Sequence, residues 1–242
     1  MVGIGRIAST LRWWSGMRVA APELEVGKDE TVTAFYQGRI TDCNFLEDDA
    51  HYEYPRAGWI LERVSGGRLL EIGCGNGGMT RLLAPKVQSV EALDISKPSL
   101  EVIDGLGLTN VKTVETLVEH HQPVVKFDWI VMSEVLEHLR EPREVVSKCM
   151  EWLAPGGRLL LTTPNGHWES DEHLHEFSLR TLSQLLAVSG AEGFLTSYLR
   201  DAQGRRRWLV AEANVAEKPA TADDFNDRLA TMRNRRRLKV GH

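Results

Sequence analysis

From about residue 54 the chain sets short apolar runs against amphipathic stretches. Ile60, Leu61 and Val64 fall on one helical face within residues 54–64. Residues 68–72 then read as a buried strand that ends at a glycine turn, and 77–83 as a helix stopped at Pro85. Residues 89–93 form a second strand, closed by Asp94. Ser96 is placed to cap a helix that has Pro98 in its first turn, where the missing N–H has no helical partner to lose. Residues 111–114 and 127–132 are the third and fourth strands. Residues 142–153 form a helix ended by Pro155-Gly156-Gly157, and 158–162 form a fifth strand stopped by Pro164. After Ser178 comes a helix carrying Leu182, Leu185, Leu186 and Val188. Residues 194–199 and 208–213 read as two more strands, joined by the turn residues Asp201-Ala202-Gln203-Gly204.

Strands that alternate with helices must pair in parallel through right-handed crossovers, whereas strands joined by a short turn must be antiparallel. The pattern therefore predicts an α/β fold: a Rossmann-like, mostly parallel seven-stranded sheet ending in an antiparallel hairpin, with helices on both faces. Residues 1–50 lack a strand pattern and read as an N-terminal extension or cap. Residues 51–216 form the domain, and 217–242 a polar, basic tail.

Composition narrows this picture. At 242 residues the chain supports one substantial core. A net charge of -5 disfavours nucleic acid as the principal partner. Cys43, Cys74 and Cys149 are widely spaced and odd in number, which fits neither a disulfide framework nor a zinc pattern, so the expected compartment is the cytoplasm. No apolar run approaches the roughly 20 residues that span a bilayer. Residues 4–19 carry Arg6, Arg12 and Arg18 around Trp13-Trp14, and the tail carries Arg233, Arg235, Arg236, Arg237 and Lys239 without an acid between them. Both basic termini are candidates for weak surface association.

The densest motif is Leu69-Leu70-Glu71-Ile72-Gly73-Cys74-Gly75-Asn76-Gly77-Gly78. Gly73, Gly75 and Gly78 satisfy the dinucleotide fingerprint, and Asp94 at the end of the next strand suits a ribose. On the residues alone, an NAD(P)-dependent oxidoreductase, a non-catalytic module retaining the fold, and a glycine turn with no ligand all remain open. Glu71 tilts the balance. A carboxylate near this turn repels a pyrophosphate but suits a ligand bearing an ammonium and a sulfonium.

Four stretches in order resemble the class I methyltransferases that use S-adenosylmethionine. Leu69 to Gly77 is similar to their first motif, and Val90-Glu91-Ala92-Leu93-Asp94-Ile95-Ser96 to the second. Phe127-Asp128-Trp129-Ile130-Val131-Met132-Ser133-Glu134-Val135-Leu136-Glu137-His138-Leu139 is similar to the fourth-strand motif. Leu153-Ala154-Pro155-Gly156-Gly157-Arg158-Leu159 resembles the turn into strand five. Within that superfamily, Lys112-Thr113-Val114-Glu115-Thr116-Leu117 looks like the O-methyltransferases of ubiquinone synthesis, although Glu115-Thr116 stands where many relatives have Gly-Asp. The resemblance implies transfer of a methyl group from S-adenosylmethionine, with oxygen the favoured target. The acceptor it implies is a small molecule, a glycan-type compound or a lipid-linked intermediate. It also implies a cofactor site built from Glu71, Gly73, Gly75, Asn76, Gly77, Asp94, Ile95, Glu115, Thr116 and Ser133.

At the acceptor end, Glu134, Glu137 and His138 stand at i, i+3 and i+4. If the chain enters a helix after Ser133, they share a face. His173 or His175, from the loop after strand five, completes the set, and the spacing of His173 from Phe177 fits the family pattern better. Glu134, Glu137, His138 and His173 are thus candidate ligands for Mg2+ or another divalent metal. The ubiquinone-type enzymes and the small-RNA 2′-O-methyltransferases carry a similar Glu-x-x-Glu-His cluster. Relatives without a metal carry it too, and there His138 or His173 is the candidate catalytic base. The loop 163–176, with Trp168 and three histidines, is the candidate acceptor wall.

Overall fold

The computed structural model describes residues 28–48, 51–168, 170, 172–201 and 203–215. Trp13-Trp14 and the basic tail lie outside the described residues. The first helix, α1 (Lys28–Gln37), leads through an irregular stretch into a 3-10 turn (Asn44–Glu47) and then α2 (Tyr54–Leu61). Regular alternation follows: β1 (Arg68–Ile72), α3 (Gly78–Leu83), β2 (Ser89–Asp94), α4 (Lys97–Asp104), β3 (Val111–Glu115) and β4 (Phe127–Ser133). The chain closes with α5 (Pro142–Trp152), β5 (Leu153–Pro164), α6 (Leu179–Val188), β6 (Gly193–Arg200) and β7 (Arg206–Asn214).

These strands form one seven-stranded sheet in the order β3-β2-β1-β4-β5-β7-β6. The first five run parallel, β7 lies antiparallel between β5 and β6, and helices cover both faces, as the pattern predicts. Chain direction reverses the sense of winding at β1 and β4, so the carboxyl ends of those neighbours open a crevice at the switch point.

Strand alternation divides the core in two. Leu70, Ile72, Ile130, Met132, Leu159 and Leu161 point to the face covered by α5 and α6. Leu69, Val90, Ala92, Val131 and Leu160 point to the face covered by α2, α3 and α4. Period-2 alternation on a strand buried on both sides reads as a nearly continuous apolar run, which is why 68–72 and 127–133 are so apolar.

The local start signals hold. The Ser96 side chain accepts from the Ser99 N–H at the head of α4, and Ser178 forms a reciprocal capping box with Thr181 at the head of α6. One expectation changes. Pro155-Gly156-Gly157 is not a loop before β5 but an irregular piece of it. Leu153 pairs with Phe127, the register then shifts, and Arg158 pairs with Trp129. A Cβ on Gly157 would stand 2.7 Å from the Phe127 carbonyl oxygen, so the close approach of the two strands there requires glycine.

Candidate active site

The turn after β1 is held by backbone. Gly73 (φ 72°) and Gly75 (φ 52°) both adopt left-handed conformations. The Gly75 N–H donates to Asp94 Oδ2 at 2.8 Å, and the Ser96 N–H to Oδ1 at 2.8 Å. Burial raises the Asp94 pKa and these amides oppose the rise, so the carboxylate is fixed in orientation at the end of β2.

Glu71 sits elsewhere than the resemblance implies. It is buried beneath the turn, accepting from the Thr80 hydroxyl at 2.7 Å, and burial pushes its pKa up to about 8. The reason is strand geometry: Glu71 points between β1 and α3, not toward the open end. Gly75 and Asn76 also face inward, against the chain's own segment 41–43. A Cβ on Gly75 would meet Cys43 Sγ at 2.8 Å, and one on Gly78 would meet the Cys43 carbonyl oxygen at 1.9 Å. The Asn76 amide accepts from the Cys43 N–H at 2.9 Å and donates to Asp42 at 3.1 Å. Gly77 (φ 88°) packs near Ile103.

A cavity of about 450 Å³ opens at the carboxyl ends of the strands. Gly73, Asp94, Ile95 and Thr116 line one side of it, and Glu134 and His138 the other. Thr116, bonded through its N–H to the Asp94 carbonyl at 3.0 Å, faces the cavity, while Glu115 is exposed at the end of β3. Ser133 is engaged behind the wall: its Oγ accepts from Arg56 Nη1 at 3.2 Å and lies 2.9 Å from Thr162 Oγ1.

The turn after β4 departs from a helix. Glu134 has φ 55°, the one non-glycine positive φ among the described residues, and only a 3-10 turn (Leu136–His138) follows before α5. Glu134 therefore does not share a helical face with Glu137 and His138. Its carboxyl accepts from Thr162 Oγ1 at 2.8 Å and lies 4.0 Å from Arg56, and burial pushes its pKa up to about 8. Glu137, His138 and His173 do come together, each offering a ligand atom within 4.8 Å of the others. Glu134 falls outside that group.

Hydrogen bonds orient the cluster. His138 Nδ1 lies 2.9 Å from the Glu172 carbonyl oxygen, which only accepts, so Nδ1 carries the proton and Nε2 is left with its lone pair. The Glu137 carboxyl accepts from Thr163 Oγ1 at 2.9 Å, and its main-chain carbonyl receives the N–H groups of Leu174 and His175. That pair of bonds pins the loop bearing His173. Burial raises Glu137 to about 7 and lowers His138; burial and the neighbouring His138 lower His173. His175 is buried, with Nε2 3.3 Å from the Arg140 carbonyl oxygen.

Tyr36, Arg56 and Thr162 escaped the pattern, whereas Thr163 opens the loop expected as the acceptor wall. Tyr36 on α1 donates to Glu172 at 2.5 Å and sets its ring 5.5 Å from that of His138. Arg56 on α2 is buried and reaches Glu53, Ser133 and Glu134. Thr162 and Thr163 at the end of β5 hold the two acids. A charged Arg56 inside the apolar stretch 54–64 was the one available signal.

The strand-end cavity thus has the glycine turn and Asp94 on one side and His138, a member of the histidine-carboxylate cluster, on the other. A family described as "Methyltransferase domain" matches residues 50–206, and the chain belongs to it, within the class I fold that uses S-adenosylmethionine. The glycine pattern is thus that of a methyltransferase and not of a dinucleotide oxidoreductase. The chain is 35% identical over 147 residues to a ubiquinone biosynthesis O-methyltransferase of Xylella fastidiosa, covering 57% of this chain and 53% of that one. It is 35% identical over 137 residues to the mitochondrial ubiquinone biosynthesis O-methyltransferase of Schizosaccharomyces pombe, covering 54% and 45%. The chain spans about half the length of these curated relatives. Among solved structures, it is similar to a DhpI complex with S-adenosylhomocysteine (TM-score 0.62, 19% identity, covering 81% of this chain and all of that one). It is also similar to the N-methyltransferase NodS of Bradyrhizobium japonicum (TM-score 0.61, 19% identity, 77% and 97%). No helix of the described residues is long and apolar enough to cross a membrane.

Proposed function

We propose that this chain methylates a hydroxyl oxygen of a small-molecule acceptor, with the transferred group coming from S-adenosylmethionine bound along Gly73, Asp94, Ile95 and Thr116. The observation that carries the reading is His138: a neutral imidazole lining the cavity, with Nδ1 committed to a carbonyl and Nε2 free. The cavity volume falls within the range of small-molecule sites. S-adenosylmethionine, when bound, supplies a methyl group on a sulfonium that is already a good leaving group.

The chain's own tasks are alignment, exclusion of water and removal of one proton. Alignment alone is worth about 7–11 kcal/mol in favourable cases. Asp94, oriented by two amides, presents its remaining lone pairs to the ribose hydroxyls. Asp94, whose carboxylate two amides hold in place, gives its side of the cavity a negative cast that favours a cationic cofactor. His138 Nε2 accepts the proton of the attacking hydroxyl, and the Nδ1–H bond to Glu172 stabilises the imidazolium that forms.

The Glu137, His138 and His173 donors also fit a divalent ion: mixed oxygen and nitrogen ligands converge, and His138 has the second bond through Nδ1 that metal-bound histidines usually make. Such an ion would supply a Lewis acid to lower the hydroxyl pKa. Glu134 would act as a neighbour of that set, not a member. The 1–50 extension is proposed as a cap, since Tyr36 and residues 41–43 reach the site, and the basic termini as weak surface contacts.

The test is transfer of labelled methyl from S-adenosylmethionine to catechol as a hydroxyl surrogate and to a cell extract, with and without EDTA. Labelled product supports the function. Loss on chelation and recovery with Mg2+ or Mn2+ supports the metal; full activity after chelation removes it and leaves His138 as the base. No labelled product from either acceptor source, with metal present, would refute methyl transfer by this chain.

A further inference from the structure

Arg207, the second residue of β7, stands at the site edge of the sheet. Its main chain is fixed by the Asn165 N–H, which donates to the Arg207 carbonyl at 3.0 Å, just beyond the end of β5. Its guanidinium carbon lies 4.4 Å from the centre of the Trp168 ring and 4.9 Å from that of Tyr52, with Trp208 at 5.9 Å. Arg207 Nε is buried and has no hydrogen-bond partner. Among the described residues no carboxylate forms an ion pair with it, whereas its neighbour Arg205 is paired with Asp201 at 2.7 Å.

That combination is costly unless something completes it. A buried N–H left unmade costs about 1–3 kcal/mol, and more on a charged group. Stacking on aromatic rings offsets part of the cost and leaves the terminal Nη groups as in-plane donors beside the buried Nε. Such an edge matches the two oxygens of a carboxylate or phosphate. Trp168 belongs to the loop that carries His173, and Trp208 lies under Arg56, which reaches Ser133 and, at the cavity wall, Glu134. Arg207 is thus separated from the acceptor end by two packed side chains.

We infer that Arg207, set against the rings of Trp168 and Tyr52, is a subsite for an anionic group, carboxylate or phosphate, carried by the methyl acceptor. The inference rests on the hydroxyl-methylation reading above and narrows its substrate class. The guanidinium recognises the anion by charge and geometry, and the two rings keep its edge aimed and partly dry.

The probes are 3,4-dihydroxybenzoate, catechol and inorganic phosphate, titrated by calorimetry into the full chain saturated with S-adenosylhomocysteine. The carboxylate compound is expected to bind at least about tenfold tighter than catechol, the ratio that 1.4 kcal/mol produces. R207M removes the guanidinium while keeping an unbranched apolar side chain and should reduce that preference to near unity; R207K should retain part of it. S-adenosylhomocysteine affinity should not change in either variant. Equal affinity for the two aromatic probes, absence of binding by both, or a preference that survives R207M overturns the inference. Phosphate binding that depends on Arg207 without any advantage for the carboxylate compound also overturns it, since the site would then hold only a free anion. Labelled methyl transfer to catechol, measured alongside, reports on the parent reading separately, because catechol has no anion for Arg207 to hold.

Discussion

The turn after β1 and the turn after β4 lie side by side at the same edge of the sheet, yet they are fixed by different means. At the first, the geometry is backbone: three left-handed glycines, amides that aim Asp94, and a segment of the chain seated where side chains would otherwise be. At the second, the geometry is side chain. Glu134 takes a conformation that costs a residue with a Cβ, and Thr162, Thr163, Arg56 and the Glu172 carbonyl hold Glu134, Glu137 and His138. A site of the first kind is tied to one ligand shape. A site of the second kind can change its chemistry by one substitution at a time.

If that division holds, variants on the two sides should separate cleanly. The largest effect is expected at His138. H138A should lower kcat by roughly 10²–10⁴, the usual worth of a positioned base, with cofactor affinity unchanged. A combined loss of cofactor binding would mean that the two turns are not independent. D94N should do the reverse. It should weaken S-adenosylmethionine binding by about 1.5–3 kcal/mol, measured by calorimetry, and leave kcat at saturating cofactor within a few fold. A third effect is expected at Glu71 and concerns stability, not binding or turnover. Its folded pKa, about 8, lies above the usual carboxylate range, so the folded state holds a proton that the unfolded chain has released. Stability contributed by that proton is present below about pH 4.5 and is lost as pH rises toward 8. E71Q should therefore flatten the fall in unfolding free energy across pH 5–8 by up to about 1.4 kcal/mol per pH unit. An unchanged slope would show that Glu71 is ionised in the folded protein and belongs electrostatically to the cofactor side.

The same contrast explains what could be read from the sequence. Backbone sites leave marks in order: a strand, glycines at fixed offsets, an acid at the end of the next strand. So the sheet, its terminal hairpin, Gly73, Asp94 and the pairing of Glu137 with His138 and His173 were all legible. Spacing is blind to direction, however. Glu71 and Asn76 occupy motif positions, but the first points under the turn and the second toward residues 41–43. Helical spacing also misled at Glu134, because a single left-handed residue breaks the i, i+3, i+4 relation without any glycine or proline to announce it. Arg56, Tyr36 and Arg207 act at long sequence separation, through contacts that only the folded sheet creates.

The hairpin that ends the sheet has a consequence for how such a protein can change over generations. Because β7 runs against β5, the bend between β6 and β7 hangs over the reacting edge, and residues Arg200 to Arg207 arrive there. Both strands that feed this bend come after every residue of the cofactor crevice, and the crevice borders β1, β2 and β3 at the far side of β4. On the proposed role of Arg207, lengthening the bend or exchanging its arginines would alter which acceptor is admitted without touching the cofactor crevice. New acceptors can be tried by small insertions at one place, while the donor machinery stays under unchanged selection.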